Sequence, residues 1–343
     1  MFRKQMQYKQ AISESIELIR ENNKLLTAII NRDEQTKQKL DEICELIEAK
    51  GNVIGSTIDN AQLELKLQHE VAAVNFSAFD EYKNIHSGKD VVIAASGPTL
   101  NRYKQINNAV HIGVNSVCSN PDISLDYYFS QDFGVKIPRQ VKFESDIANL
   151  NCKKFFGLLA SVPNGLIEPP ESLCARIGAT RYFFEVSPSR HLYHDIRFRP
   201  LMDFYSVVFP ALHFALFTNP KRIYLVGVDT SFGGYYTNEN ASETVAEAQH
   251  ILYNRMIGFR RVREFAKTWY PETEIISINP VNLNGLFNDM YTDENGNLIE
   301  ASNELSGINE CDFTDDGIRA FVDNHIEQIL LSKENSEKKV SDD

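Results

Sequence analysis

From Asp90 onward the chain alternates short apolar runs with longer stretches of helical periodicity, and that alternation restricts the fold more than any other feature. Runs at Val91–Ala95, His111–Val114, Asp126–Ser130, Lys154–Ala160, Arg181–Val186, Arg222–Val228 and Glu274–Ile278 read as strands. Helices are expected at Phe204–Phe217 and Glu243–Trp269. Strands that alternate with helices build a largely parallel sheet covered on its faces. The expected fold is therefore α/β, a Rossmann-like mostly parallel sheet flanked by helices, occupying residues 76–332.

The N-terminal part follows another rule. Ile12, Ile19, Leu26, Leu40 and Ile47 fall seven or fourteen apart, and with Ile29 and Ile43 they form an a/d seam. Ser15, Asn22, Asp33 and Thr36 interrupt it. Polar seam residues weaken a coiled coil but fix its register, so self-association is favoured over packing on the chain's own domain. The segment "GNVIGST", Gly51–Thr57, is expected to end this helix, with a second amphipathic segment running to about Ala73. Residues 1–75 are thus read as a helical coiled-coil oligomerisation region. The polar stretch "KENSEKKVSDD" marks 333–343 as a disordered tail.

Charge and composition exclude several classes. A formal net charge of -12 argues against general nucleic-acid binding, which needs a basic surface. The longest apolar run, "VVFPALHFALF", is broken by Pro210 and His213 and falls short of the ~18 residues a membrane span requires. The N-terminus lacks the apolar core of a signal peptide, so a cytoplasmic chain is expected, with at most peripheral association at the inner face of a membrane. Cys44, Cys118, Cys152, Cys174 and Cys311 are scattered, which supports neither a disulfide framework nor a structural zinc site.

In open α/β sheets ligands bind outside the carboxyl ends of the strands, so the residue after each apolar run is the informative one. Here those residues are Ser96, Asn115, Gln131 with Asp132, Ser161, Ser187, Asp229 with Thr230 and Ser231, and Asn279, all polar. The first strand runs directly into "SGPTL". Pro98 suits a first helical turn and Gly97 permits close approach to the backbone, so this corner reads either as an ordinary strand-to-helix turn or as an anion site at Thr99. His250, in the helix after the "GVDTSFGGYYTN" loop, is a candidate general base, with a solvent-exposed helical histidine as the competing account. Between the fifth strand and the next helix, "SPSRHLYHDIRFRP" carries Arg190, His191, His194, Arg197 and Arg199. In so acidic a chain this loop is either an internal ion-pair site or a clamp for a phosphate or carboxylate.

Several segments taken together, "VVIAASGPTL", "HIGVNSV", "DYYFSQD", "DFYSVVFPALHFALFTNPKRIYLVGVD" and "REFAKTWYPETEIISINP", resemble a known domain in order and spacing. It is the domain shared by 6-hydroxymethylpterin diphosphokinase MptE-like proteins, motility accessory factors and bacterial CMP-sialic acid transferases of glycosyltransferase family 42. The resemblance spans roughly Lys89 to Asn282 and leaves out both the N-terminal helical region and the C-terminal tail. It implies that Gly97, Pro98, Thr99 and Asn115 hold a nucleotide's phosphate and sugar, and that Ser206 matches the serine opening the helix before "IYLVGVD". The sialyltransferase histidine falls near Asn254 here, with His250 one helical turn earlier. Their arginine is replaced by Asp203, and their tyrosines are displaced to Tyr235 and Tyr236. The implied function is a glycosyltransferase moving sialic acid, Kdo or a related acidic sugar from a CMP-activated donor to a bacterial surface-glycan acceptor, as in lipopolysaccharide or capsule biosynthesis. His250, Asp229 and Asp203 are the catalytic candidates, and Ser96, Gln131, Asp132, Arg190, Arg197 and Arg199 join the donor site. No metal or other cofactor is required on this reading. One alternative is a pterin diphosphokinase using ATP and magnesium, with Asp132 and Asp229 as metal ligands. The other is a coiled-coil scaffold with a vestigial crevice.

Overall fold

The computed structural model describes residues 2–29, 34–131, 145–161, 165–167, 171–186, 192–230, 245–300 and 311–341. The chain divides into two compact units, Met1–Leu67 and Gln68–Asp343, so the boundary falls a little before the expected 75/76.

The first unit consists of α1 (Phe2–Ile29) and most of α2 (Glu34–Phe79). The helix does not end at Gly51–Thr57. Each lone glycine costs a helix only about 1 kcal/mol relative to alanine, which the turns rich in Glu, Lys, Leu and Ala on either side, residues 41–50 and 61–66, offset. Ser56 and Thr57 donate their hydroxyls to the Val53 carbonyl, within the same helix. Ile12, Ile16, Ile19, Leu46, Leu63 and Leu65 are exposed along this unit, Ile12 and Ile19 each at 41%.

The second unit is built on a twisted α/β sheet. Its strands are β1 (Asp90–Ala94), β2 (Val110–Val114), β3 (Tyr127–Ser130), β4 (Lys153–Ser161), β5 (Gly165–Ile167), β6 (Ala179–Val186), β7 (Leu201–Asp203), β8 (Arg222–Val226), β9 (Glu274–Ile278), β10 (Asn288–Thr292) and β11 (Leu298–Glu300). Ten of them lie in the order β11-β10-β9-β8-β1-β2-β3-β4-β6-β7, with β5 paired onto β4. Only β4–β5 and β10–β11 are antiparallel among the described pairs. All seven expected strands are present, whereas β5, β7, β10 and β11 had no clear apolar signal. The chain steps outward from β1 to β7, then returns to lay β8 on the other side of β1. That reversal puts a topological switch point between β1 and β8.

Helices cover both faces. Under α4 (Val208–Phe217) and α5 (Val245–Trp269) lie Val91, Ile93, Phe129, Phe155, Tyr182 and Ile223. Val92, Ala94, Tyr128, Phe156 and Ile276 face the shorter turns Pro98–Arg102 and Asn115–Ser119 and helix α3 (Glu171–Ile177). The last turn of α2 inserts Phe79 into an aromatic cluster, with ring centroids 5.4 Å from Phe155, 5.9 Å from Tyr182 and 5.8 Å from Phe214. Truncating such a fully buried phenylalanine costs about 3–5 kcal/mol. One turn earlier Asn75, fully buried, donates its amide to the Arg199 carbonyl at 2.7 Å and accepts the Phe183 N–H at 2.7 Å. A side-chain amide thereby supplies ladder-like hydrogen bonds where β6 meets the connection to β7.

The final helix, α6 (Asp315–Ser341), runs through residues 333–341, where disorder was expected. Asp315 and Asp316 sit in its first turn, favourable toward the helix dipole, and neither glycine nor proline interrupts it after Gly317.

Candidate functional site

The corner after β1 is a five-residue 3-10 turn, Pro98–Arg102, rather than the start of an α-helix. The polar groups of Thr99 are already taken. The Thr99 N–H donates to Asp229 Oδ2 at 2.8 Å and its hydroxyl donates to Asp229 Oδ1 at 2.6 Å. Asp229 follows β8, so the pair bridges the switch point from within the chain. Gly97 is required here because a Cβ would lie 2.5 Å from both Asp229 Oδ2 and the Gly227 carbonyl oxygen. The close approach foreseen at this glycine is made by the chain's own carboxylate, so Thr99 is not an open anion site. Burial pushes the Asp229 carboxyl up, against the opposing pull of the two Thr99 hydrogen bonds.

The ends of β2 and β3 are different. Asn115 adopts φ 49, and its carbonyl accepts the Tyr128 hydroxyl at 2.9 Å, while its side-chain amide makes no hydrogen bond among the described residues. Gln131 lies over β4, where a Cβ on Gly157 would meet its Cγ at 2.7 Å. Its Nε2 is buried without a hydrogen-bond partner. Following Phe129 by two, it faces the side of the sheet that carries α4 and α5. Ser96 is buried at the end of β1. By contrast Asn279 is bonded to Thr292, and the Thr230 hydroxyl donates to the Val281 carbonyl, so both close the sheet structurally. Asp132, Ser187, Arg190, His191, Ser231, Tyr235 and Tyr236 lie outside the described residues.

A second gathering forms beyond β7. Asp203, buried, accepts the Ser206 N–H at 2.5 Å, and Ser206 lies before α4 rather than inside it. Between them Tyr205 adopts φ 62. For a bulky aromatic residue this left-handed conformation costs on the order of 1–3 kcal/mol and tends to mark a functional constraint. Its hydroxyl stands 3.0 Å from His250 Nε2, and Arg255 Nε donates to its carbonyl at 3.0 Å. Asn254, the residue at the position of the sialyltransferase histidine, donates its amide to the His250 carbonyl at 2.7 Å and stands 3.2 Å from Nε2. Two donors converging on Nε2 favour the tautomer with its proton on Nδ1. Gly258 lets α5 settle onto this corner, since a Cβ there would meet Phe204 Cγ at 2.6 Å. The structure thus brings Asp203, Ser206 and His250 together, but β7 is six strand positions from β8 and Asp229, about 29 Å at the usual strand spacing.

From Leu192 on, the basic loop goes to the opposite end of the sheet. Because β7 is parallel to β6, the connection must return to the amino ends of the strands before β7 begins. Arg197 there makes a bidentate pair with Asp195 at 2.8–2.9 Å and donates to Asp80 at 2.6 Å, close to the approach into β1. This partnership holds the Asp195 carboxyl below its ordinary range. Arg199 lies over the Tyr193 ring, and the His194 ring packs 4.7 Å from Trp269, near the approach into β9. Of the two accounts of this loop, the internal ion-pair site is the one the geometry of Arg197 fits.

No family model matches this chain, and no curated protein matches it either. What the molecule can do rests on its own geometry. Among the described residues no group of three His, Cys, Asp or Glu side chains is placed to hold a metal ion. Asp229, one of the two carboxylates considered for magnesium, has both oxygens engaged by Thr99. Tyr205 was missed in the sequence, where "DFYSVV" gives no hint of its backbone conformation. Asn75 was missed because its partners lie 108 to 124 residues away.

Proposed function

We propose that the protein is a glycosyltransferase that takes a sugar from a nucleotide-linked donor, with a CMP-linked acidic sugar as the leading candidate. The observation that carries this reading is the orphaned Gln131 amide at the carboxyl end of β3, with Asn115, whose amide makes no hydrogen bond among the described residues, at the end of the neighbouring β2. Buried polar groups are almost always paired, so an unpaired one at the ligand-binding end of an α/β sheet suits a polar ligand. From the β2 end to the β7 end is four strand positions, about 19 Å, comparable with an extended nucleotide sugar. A nucleotide held near Asn115 and Ser96 would direct its sugar past Gln131 toward Tyr205 and His250.

The chemistry then falls to the second gathering. The acceptor oxygen bonds to the anomeric carbon as the sugar–phosphate bond breaks, and that electron pair leaves with the nucleotide. The acceptor's proton passes to Tyr205 Oη as the tyrosine's own proton moves to His250 Nε2. Asp203 holds the Ser206 backbone, and Asp229 serves as the lock at the β1 corner. Arg190 is the arginine of the basic loop that stays a candidate for the phosphate. Melting curves with CMP, UDP, GDP and ATP, with and without magnesium, test the reading by mass action. Stabilisation by CMP without metal is expected. Magnesium-dependent stabilisation by ATP alone would favour the diphosphokinase, and no response to any nucleotide would leave the scaffold reading.

We further propose that the first unit mediates self-association as a coiled coil. Its exposed Ile12, Ile16, Ile19, Leu46, Leu63 and Leu65 leave apolar surface in water that a second copy would cover. Deleting residues 1–51 should lower the mass seen by light scattering, and an unchanged number of copies would refute it.

A further inference from the structure

Helices α5 and α6 pack along one another, and a cavity of about 440 Å3 opens between them beside His250. Gln249, His250, Tyr253, Arg319, Val322 and Asp323 line it. Val322 is buried and forms an apolar floor. Arg319 lies over the Tyr253 ring, its Cζ 5.7 Å from the centroid, and makes no ion pair among the described residues. Asp323, one turn along the same helix, instead accepts the Gln249 amide at 2.6 Å. A guanidinium laid on an aromatic face keeps planar donors available for an acid. One wall is His250, whose Nε2 stands 3.0 Å from the Tyr205 hydroxyl.

We infer that this cleft binds a hydroxylated organic anion of about one sugar ring, its acid group on Arg319 and its ring hydroxyls against the His250 wall. The competing ligand classes fit less well. A single floor residue offers an apolar ligand little burial, Arg319 already covers a face of the one tyrosine that could stack a base, and a cation would meet Arg319 with Asp323 as its one carboxylate. A sugar carrying a carboxylate or phosphate uses the arginine for its charge and the glutamine, aspartate and histidine for its hydroxyls. Helix α6 lies outside the segments that carry the family resemblance, so this wall belongs to the present chain. Under the transferase reading the cleft is the acceptor site; the binding itself does not depend on that reading.

Saturation-transfer NMR on the intact protein, with no nucleotide present, tests it. Methyl glucuronide and glucose 6-phosphate should both receive saturation, or one of them strongly, while neutral methyl glucoside should receive little. The stronger of the two acids identifies the acid group. Arg319→Gln should weaken acid binding by about tenfold, the loss of one charge-assisted contact, and Arg319→Lys should keep part of it. Arg319 is exposed, so its replacement leaves the core intact. Asp323→Asn should strengthen acid binding by removing a like charge. Equal signals from acidic and neutral sugars, no signal from either acid, or unchanged affinity in Arg319→Gln would overturn the inference. Acid binding without any CMP response would sink the donor site alone, and the reverse would sink this cleft alone.

Discussion

The arginines at the amino ends of the sheet and the amides at the carboxyl ends of β2 and β3 are treated in opposite ways. At the amino ends Arg197 is tied to Asp195 and Asp80, and Arg222 to Asp90 through two bonds of 2.7–2.8 Å. At the carboxyl ends Gln131 Nε2 is buried with no partner, the Asn115 amide makes no hydrogen bond among the described residues, and Tyr205 is held in a strained conformation. Arg197, from the basic loop, thus lies at the paired end. Whether an arginine already has a carboxylate partner says more about its availability than how many arginines stand together, because a paired charge has little left to offer a ligand.

The largest expected effect tests the closed end. His213, on α4 and 1% exposed, donates Nε2–H to the Tyr193 carbonyl at 2.7 Å, and burial lowers its pKa from 6.5 to about 4. Its folded pKa is depressed, so the stability it contributes is complete above about pH 6.5 and is lost as pH falls toward 4, on the order of 3 kcal/mol over that window. Urea unfolding at a series of pH values should show this slope in the parent and a flatter one in His213→Gln. An identical slope in both would mean that the imidazole is already open to protons.

Next comes Arg197→Ala, which should lower stability by about 1–2 kcal/mol, since its partly exposed pairs are screened. Nucleotide affinity should not change. Reduced affinity with an unchanged melting curve would return this loop to the site and dissolve the contrast. The smallest effect belongs to the open end. Gln131→Ala should weaken CMP binding by about fivefold, near 1 kcal/mol, while leaving stability unchanged or slightly higher once the unpaired amide is gone. A marked loss of stability would make Gln131 part of the scaffold.

The sheet was legible because seven strands are apolar runs buried on both faces, a signal local to each run. Three of the four missed strands, β5, β7 and β11, are only three residues long, and β10, "NDMYT", is half-exposed and polar. Overlooking β7 had the greatest consequence. Without it the basic loop appears to lead directly from one strand end into the next helix, whereas one short parallel strand sends Arg197 and Arg199 to the far edge. At the candidate site the residue types after β1, β2 and β3 were legible, but their partners were not. Whether Thr99 faces a ligand or Asp229 depends on two segments 130 residues apart in the chain.

The Asp229 and Thr99 lock also means that the protein carries a tethered competitor at its own switch point. A carboxylate fixed on the neighbouring strand acts at an effective concentration that a free anion in solution rarely matches. An incoming phosphate would therefore gain the Thr99 N–H only by displacing a group that remains beside it. Under the transferase reading, selectivity at this corner would arise from exclusion: simple anions would be turned away, and a ligand would have to secure itself first on the amides of Asn115 and Gln131 further along the sheet.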